Sequence, residues 1–162
     1  MTEKQVKPYG SWKSPITSEL IVSGTISLSE TVFDGEDIYW LEGRPSEGGR
    51  YVIMRRAPDG SVSELTPQPL NVRTRVHEYG GGSYVVAKGT AYFSNFADQQ
   101  LYRQAAGEEP QQLTHAEGLR YADGVLDETR ARLVCVREDH TESAREAVNT
   151  IASVDIQSGE SS

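Results

Sequence analysis

Ile38-Tyr39-Trp40-Leu41, Ala91-Tyr92-Phe93 and Leu133-Val134-Cys135-Val136 are the strongest apolar strand signals in this chain of 162 residues. They occupy the same place in three copies of one plan. Each follows an apolar strand and a turn. Each leads through an acid-rich or aromatic loop into a third strand that ends in a Gly-containing turn. The runs recur after about fifty and then about forty residues, the period of propeller blades. Such a unit cannot bury both faces alone and needs a neighbour on each side. The predicted fold is all-β, a partial β-propeller of about two and three-quarter four-stranded antiparallel blades.

Outward from these runs, Asp34-Gly35, Asp59-Gly60, Lys88-Gly89 and Ser158-Gly159 are hairpin-type breaks. They divide the first blade (27–66) into strands 27–33, 37–42, 50–57 and 61–66. The second (82–114) has strands 82–87, 90–95, 100–104 and 111–114, and the third (122–156) has 122–126, 132–137 and 150–156. Leu65-Thr66 and Leu113-Thr114 close the outer strands of the first two blades. In the third, the sequence reaches Ser162 inside the turn that should lead to an outer strand, so a truncated propeller is expected. Residues 1–26 form an N-terminal extension whose one helix signal is a short turn over 17–22, capped by Thr17.

Composition narrows the function. A formal charge of −8, from 24 acidic and 16 basic side chains, argues against nucleic-acid binding, which needs a basic patch. The N-terminus from Met1 to Pro8 is polar and lacks a secretory pattern. No apolar run is long enough to cross a bilayer. No membrane association and cytoplasmic residence are expected. The single cysteine, Cys135, is flanked by apolar strand residues and is expected to be a buried small hydrophobe rather than a reactive thiol.

Connections between strands one and two, and three and four, are short and polar. The connections on the opposite rim, 43–49, 67–81, 96–99, 115–121 and 138–149, are longer and richer in Arg, Glu, His and aromatics. Loops carry function when a rigid scaffold holds them, so the interacting face is expected there. The most specific segment is Asn71-Val72-Arg73-Thr74-Arg75-Val76-His77-Glu78-Tyr79-Gly80-Gly81-Gly82. Val72, Thr74 and Val76 alternate with Arg73, Arg75 and His77, so the approach is extended with one polar side. The three glycines lack the pattern of a phosphate loop and are expected to make room at a crowded channel wall. Glu138, His140 and Glu142 share one side if their strand continues, which could suit a metal. Solvated loop charge accounts for them without one, so no metal and no cofactor are expected. His115 and the pair Arg55-Arg56 are expected to be exposed. No serine lies in a Gly-x-Ser-x-Gly elbow, and no Cys–His pair is supported, so no catalytic residue is expected in this chain.

Several motifs resemble the N-terminal propeller of the prolyl oligopeptidase family, in its dipeptidyl aminopeptidase/acylaminoacyl-peptidase group. They are Gly10-Ser11-Trp12-Lys13-Ser14-Pro15-Ile16-Thr17, the stretch Tyr39-Trp40-Leu41-Glu42-Gly43-Arg44-Pro45-Ser46-Glu47-Gly48-Gly49-Arg50, the Arg73–Gly82 segment, Tyr92-Phe93-Ser94-Asn95 and Val136-Arg137-Glu138-Asp139-His140. In that family the propeller caps a C-terminal α/β-hydrolase domain that bears a Ser-Asp-His triad, and it filters and holds peptide substrates. The resemblance implies a non-catalytic part of a serine peptidase, with the missing blades, the hydrolase domain and a peptide as its partners. Arg75, His77, Glu78, Tyr79, Glu138, Asp139 and His140 become the contact candidates for substrate or hydrolase domain. A carboxylate of Glu78, Glu138 or Asp139 would meet a peptide amino group or a partner arginine. Self-association of the isolated chain through its uncovered blades is expected. The alternatives are a stand-alone β-sheet binding module for a protein or peptide, and a sugar- or metal-binding propeller piece of another family.

Overall fold

The computed structural model describes residues 6–22, 24–142 and 146–162. Residues 1–5, residue 23, and residues 143–145 of the 138–149 connection lie outside the described residues. Three antiparallel sheets follow one another along the chain. The first is β1 (Ser27–Asp34), β2 (Asp37–Arg44), β3 (Arg50–Arg56) and β4 (Val62–Glu64). The second is β5 (Tyr84–Ala87), β6 (Thr90–Ser94), β7 (Leu101–Ala105) and β8 (Gln111–Gln112). The third is β9 (Leu119–Asp127), β10 (Arg132–Asp139) and β11 (Val148–Asp155). Within each sheet sequential strands are neighbours, the meander of a propeller blade. The partial β-propeller is thus the observed fold.

Side-chain alternation builds the stack. In β6, Ala91 and Phe93 point into a core shared with Tyr39, Leu41, Ile53, Leu65 and Val72 of the first blade and its exit segment. Tyr92, between them, points the other way, into a core with Leu101, Tyr121, Leu133, Cys135 and Val154. The middle blade therefore serves as a wall for both cores, and full burial of a side chain such as Phe93 stabilises by about 1.5–3 kcal/mol.

The recurring Leu-Thr pairs have one role. Leu65 N–H donates to Ile53 O at 2.8 Å, and Ile53 N–H donates to Thr66 Oγ1 at 3.0 Å. The second blade repeats this at Leu113, Leu101 and Thr114, at 2.7 and 2.9 Å. Each threonine completes the ladder where the short outer strand ends, so no buried donor is stranded.

The short helix α1 (Ser18–Val22) starts where expected, with Thr17 Oγ1 accepting from Leu20 N–H at 3.1 Å. Several boundaries differ from expectation. The third sheet starts at Leu119 and its second strand runs on to Asp139. Glu138 and Asp139 are therefore ladder residues, opposite Asn149 and Val148 on one side and Arg120 and Leu119 on the other. The final residues are more than a turn. Ser162 N–H and Ser153 N–H each donate to the other residue's carbonyl, at 3.0 and 2.9 Å, which begins a fourth strand on β11. Arg55 is not a solvated strand end, because it pairs with Asp37 at 3.0 Å and is partly buried. His115 is exposed, as expected.

Candidate functional site

The segment after β4 crosses from the first blade to the second and builds one rim. Asn71 ties it down. Its Oδ1 accepts from Tyr51 N–H at 2.9 Å, its N–H donates to Asn95 Oδ1, and its carbonyl accepts from Phe96 N–H at 2.8 Å. Val72 bridges Asn95, and Arg73 N–H donates to Ser94 O. As the alternation predicts, Val72, Thr74 and Val76 are buried while Arg73, Arg75 and His77 are exposed. The chain then turns sharply. Gly80 N–H donates to Val76 O at 2.9 Å, with φ of +60° at both His77 and Glu78 and +90° at Gly80. Two adjacent non-glycine residues in the left-handed region cost about 1–2 kcal/mol each.

A buried carboxylate holds that turn. Glu138, 6% exposed, accepts His77 N–H on Oε1 at 2.7 Å. Its Oε2 lies 3.1 Å from His140 Nε2 and 3.8 Å from the Arg120 guanidinium. Burial works to raise the Glu138 pKa. The bonds from His77 and His140, with the charges on His140 and Arg120, outweigh it and hold the carboxyl below its usual range. Asp139 accepts from Thr141 N–H and Oγ1 at 2.9 and 2.6 Å, a local turn contact. Of the seven contact candidates, Glu138 and His140 thus meet behind the turn, and Arg75, His77, Glu78 and Tyr79 lie on it. Tyr79 is 94% exposed and Glu78 is exposed beside it.

The glycines admit a close neighbour. A Cβ at Gly81 would stand 2.7 Å from Asp123 Oδ2 and 3.1 Å from Ala122 Cβ. Asp123 sits at a bulge in β9 with φ of +55°, accepts Gly82 N–H at 2.6 Å, and lies 3.8 Å from His77 Nε2. Glu30 is its counterpart in β1, at a bulge with φ of +49°, and accepts Ser83 N–H at 3.0 Å. Burial, aided by the charge on Asp123 and opposed by the Ser83 bonds, raises the Glu30 pKa. The Tyr84 hydroxyl donates to Glu30 O. Two inner strands thus clasp consecutive amides at the entry to β5. A cleft of about 310 Å³ opens beside them, lined by Glu30, Tyr51, Arg73, Tyr79, Gly80 and Gly81 among others.

Glu30 and Asp123 belong to this rim without having been picked out by sequence, and the sequence places Arg73 and Phe96 on its loops but not beside each other. The carboxylates depend on bulge register. The arginine and phenylalanine depend on two loops meeting. Among the described residues no serine, threonine or cysteine is hydrogen-bonded to a histidine. No group of three His, Cys, Asp or Glu among them is placed to hold a metal. Cys135 is buried, and burial pushes its thiol up to about 11. The rim presents an exposed aromatic and acid on a braced turn, two arginines, and a small cleft.

No family model matches the chain, and no curated protein matches it. Solved structures do. A puromycin hydrolase matches 96% of the chain at 34% identity with a TM-score of 0.78. A puromycin-hydrolyzing peptidase from Mycobacterium tuberculosis matches 96% at 36% identity with a TM-score of 0.75. The AtxE2 isopeptidase, at 13% identity and a TM-score of 0.55, shares the fold alone. The chain spans about a quarter of the length of the two hydrolases, 26% of each. No described helix is long and apolar enough to cross a membrane.

Proposed function

We propose a non-catalytic, substrate-orienting role for this chain, which belongs to the prolyl oligopeptidase family as part of its N-terminal β-propeller. In the whole protein this propeller caps an α/β-hydrolase domain with a serine nucleophile, and the braced rim faces that domain and the peptide entering it. The protein cleaves peptides or amino-acyl amides of the kind its puromycin-hydrolysing relatives are named for, and it works in the cytoplasm. The observation that carries this reading is the Glu78–Tyr79 turn, whose side chains project from a strained backbone fixed by buried Glu138. A strained turn held by surrounding contacts is characteristic of recognition sites. Glu78 is the carboxylate free to meet a peptide amino group, whereas Glu138 acts from behind as a brace. The test is kinetic. In the protein carrying both domains, E78Q and Y79A should raise KM for short peptides while leaving the melting temperature unchanged. Unaltered kinetics in both variants would refute the role.

Alone, the 162-residue chain associates with itself. Val125 and Ile151 are 66% and 74% exposed on the outer face of the third blade, cross-strand from Val134 and Val136. That apolar face suits a second copy. Sedimentation should show dimers or larger species whose fraction rises with concentration and falls in I151K. A monomer at all concentrations would disprove it.

A further inference from the structure

We infer that Arg73, Phe96 and Arg75 form a clamp for a carboxylate, the C-terminal carboxylate of a short peptide lying in the cleft beside Arg73. The guanidinium carbons of Arg73 and Arg75 stand 4.9 and 4.4 Å from the centroid of the Phe96 ring. Arg73 also lies 6.0 Å from the Tyr51 ring. Two like charges are thus gathered at one aromatic residue on a chain of net charge −8. Neither takes part in an ion pair among the described residues. The acid of the facing loop is already engaged, since Asp98 accepts from Asn95, Gln100 and the Tyr102 hydroxyl.

The ring steadies each cation through its face. A guanidinium stacked in this way keeps its planar donor edge available for bidentate contact with a carboxylate. The backbone around it is fixed. Arg75 N–H donates to Gln99 Oε1 at 2.7 Å, Gln99 Nε2 donates to Phe96 O at 2.9 Å, and Arg73 N–H donates to Ser94 O. The two arginines are therefore pre-organised, which lowers the ordering cost of binding. Arg73 and Glu30 both line the cleft. A wall of each sign suits a zwitterionic peptide better than a phosphate dianion, which Glu30 would repel.

The inference rests on the rim facing a peptide, and the test separates the two. Titration calorimetry at low salt of the protein carrying both domains, its serine nucleophile replaced by alanine, compares triglycine with triglycine amide. Triglycine should bind at least about tenfold more tightly, the effect of one charge-assisted contact. R73Q/R75Q should abolish that preference while circular dichroism stays unchanged, both side chains being exposed. Equal binding of acid and amide, weakened by E78Q, would overturn the clamp and leave the rim reading intact. A preference that survives in R73Q/R75Q would also overturn the clamp. Absence of binding by either peptide would overturn both.

Discussion

Replacing Glu138 by alanine tests how the rim is held. The residue is 6% exposed, and its carboxylate satisfies the His77 amide at 2.7 Å, with His140 at 3.1 Å and Arg120 at 3.8 Å. Removal takes away a hydrogen bond to a charged acceptor and strands the His77 donor beside two groups that have lost their partner. The expected loss is about 3 kcal/mol. For a chain of this length that lowers Tm by about 6–12 °C. E138Q keeps an acceptor for His77 and loses only the charge, so it should cost about 1 kcal/mol. The pH dependence has a definite sign. Because the folded pKa is depressed, the contribution is fully present above the unfolded value of about 4.3. It is lost as pH falls through the folded value, and E138Q should flatten that acid limb. Urea unfolding followed by circular dichroism at several pH values measures all three quantities. An E138A stability within about 0.5 kcal/mol of the wild type would refute the bracing role.

Two further outcomes follow from buried groups. Arg50, 6% exposed, bonds Thr66 O, Leu70 O, Glu47 and Glu64 through three different nitrogens, and R50A should cost about 3–5 kcal/mol in unfolding free energy. R50K should recover little of this, since a single ammonium cannot reach the same set; full recovery would contradict the geometry. Cys135, with its thiol pushed up to about 11, should react with iodoacetamide at pH 8 far more slowly in the native chain than in urea, and equal rates would show that the strand pair opens readily.

The blades were legible in sequence because their central strands carry apolar residues at a two-residue period, as β2 does in its burial. Tyr39 and Leu41 in β2, and Ala91 and Phe93 in β6, need no tertiary information to be assigned to one face. The sequence also shows that Leu65-Thr66 and Leu113-Thr114 recur, but not that each threonine serves an amide of the strand before it. The rim was legible only in part. The pattern of Val72, Thr74 and Val76 marked which residues are buried, and Glu138 and His140 do share a side. The extent of β10 was short by two residues, because Glu138 and Asp139 look like loop acids until Arg120 and Leu119 are seen opposite them. Glu30 and Asp123 carry no local signal. Their positive φ values arise from bulges, and a bulge is a property of two paired strands. Arg73 and Arg75 meet Phe96 across more than twenty residues of chain, a distance that periodicity does not span.

The opposite orientations of Tyr92 and Phe93 carry a lesson about how such a chain can vary. Deleting one residue within β6 would send Phe93 toward the third blade and Tyr92 toward the first, and both cores would receive the wrong volume in one step. Descent with viable intermediates must therefore avoid small insertions and deletions here. It must proceed by exchanges that conserve size, or by gain and loss of entire blades.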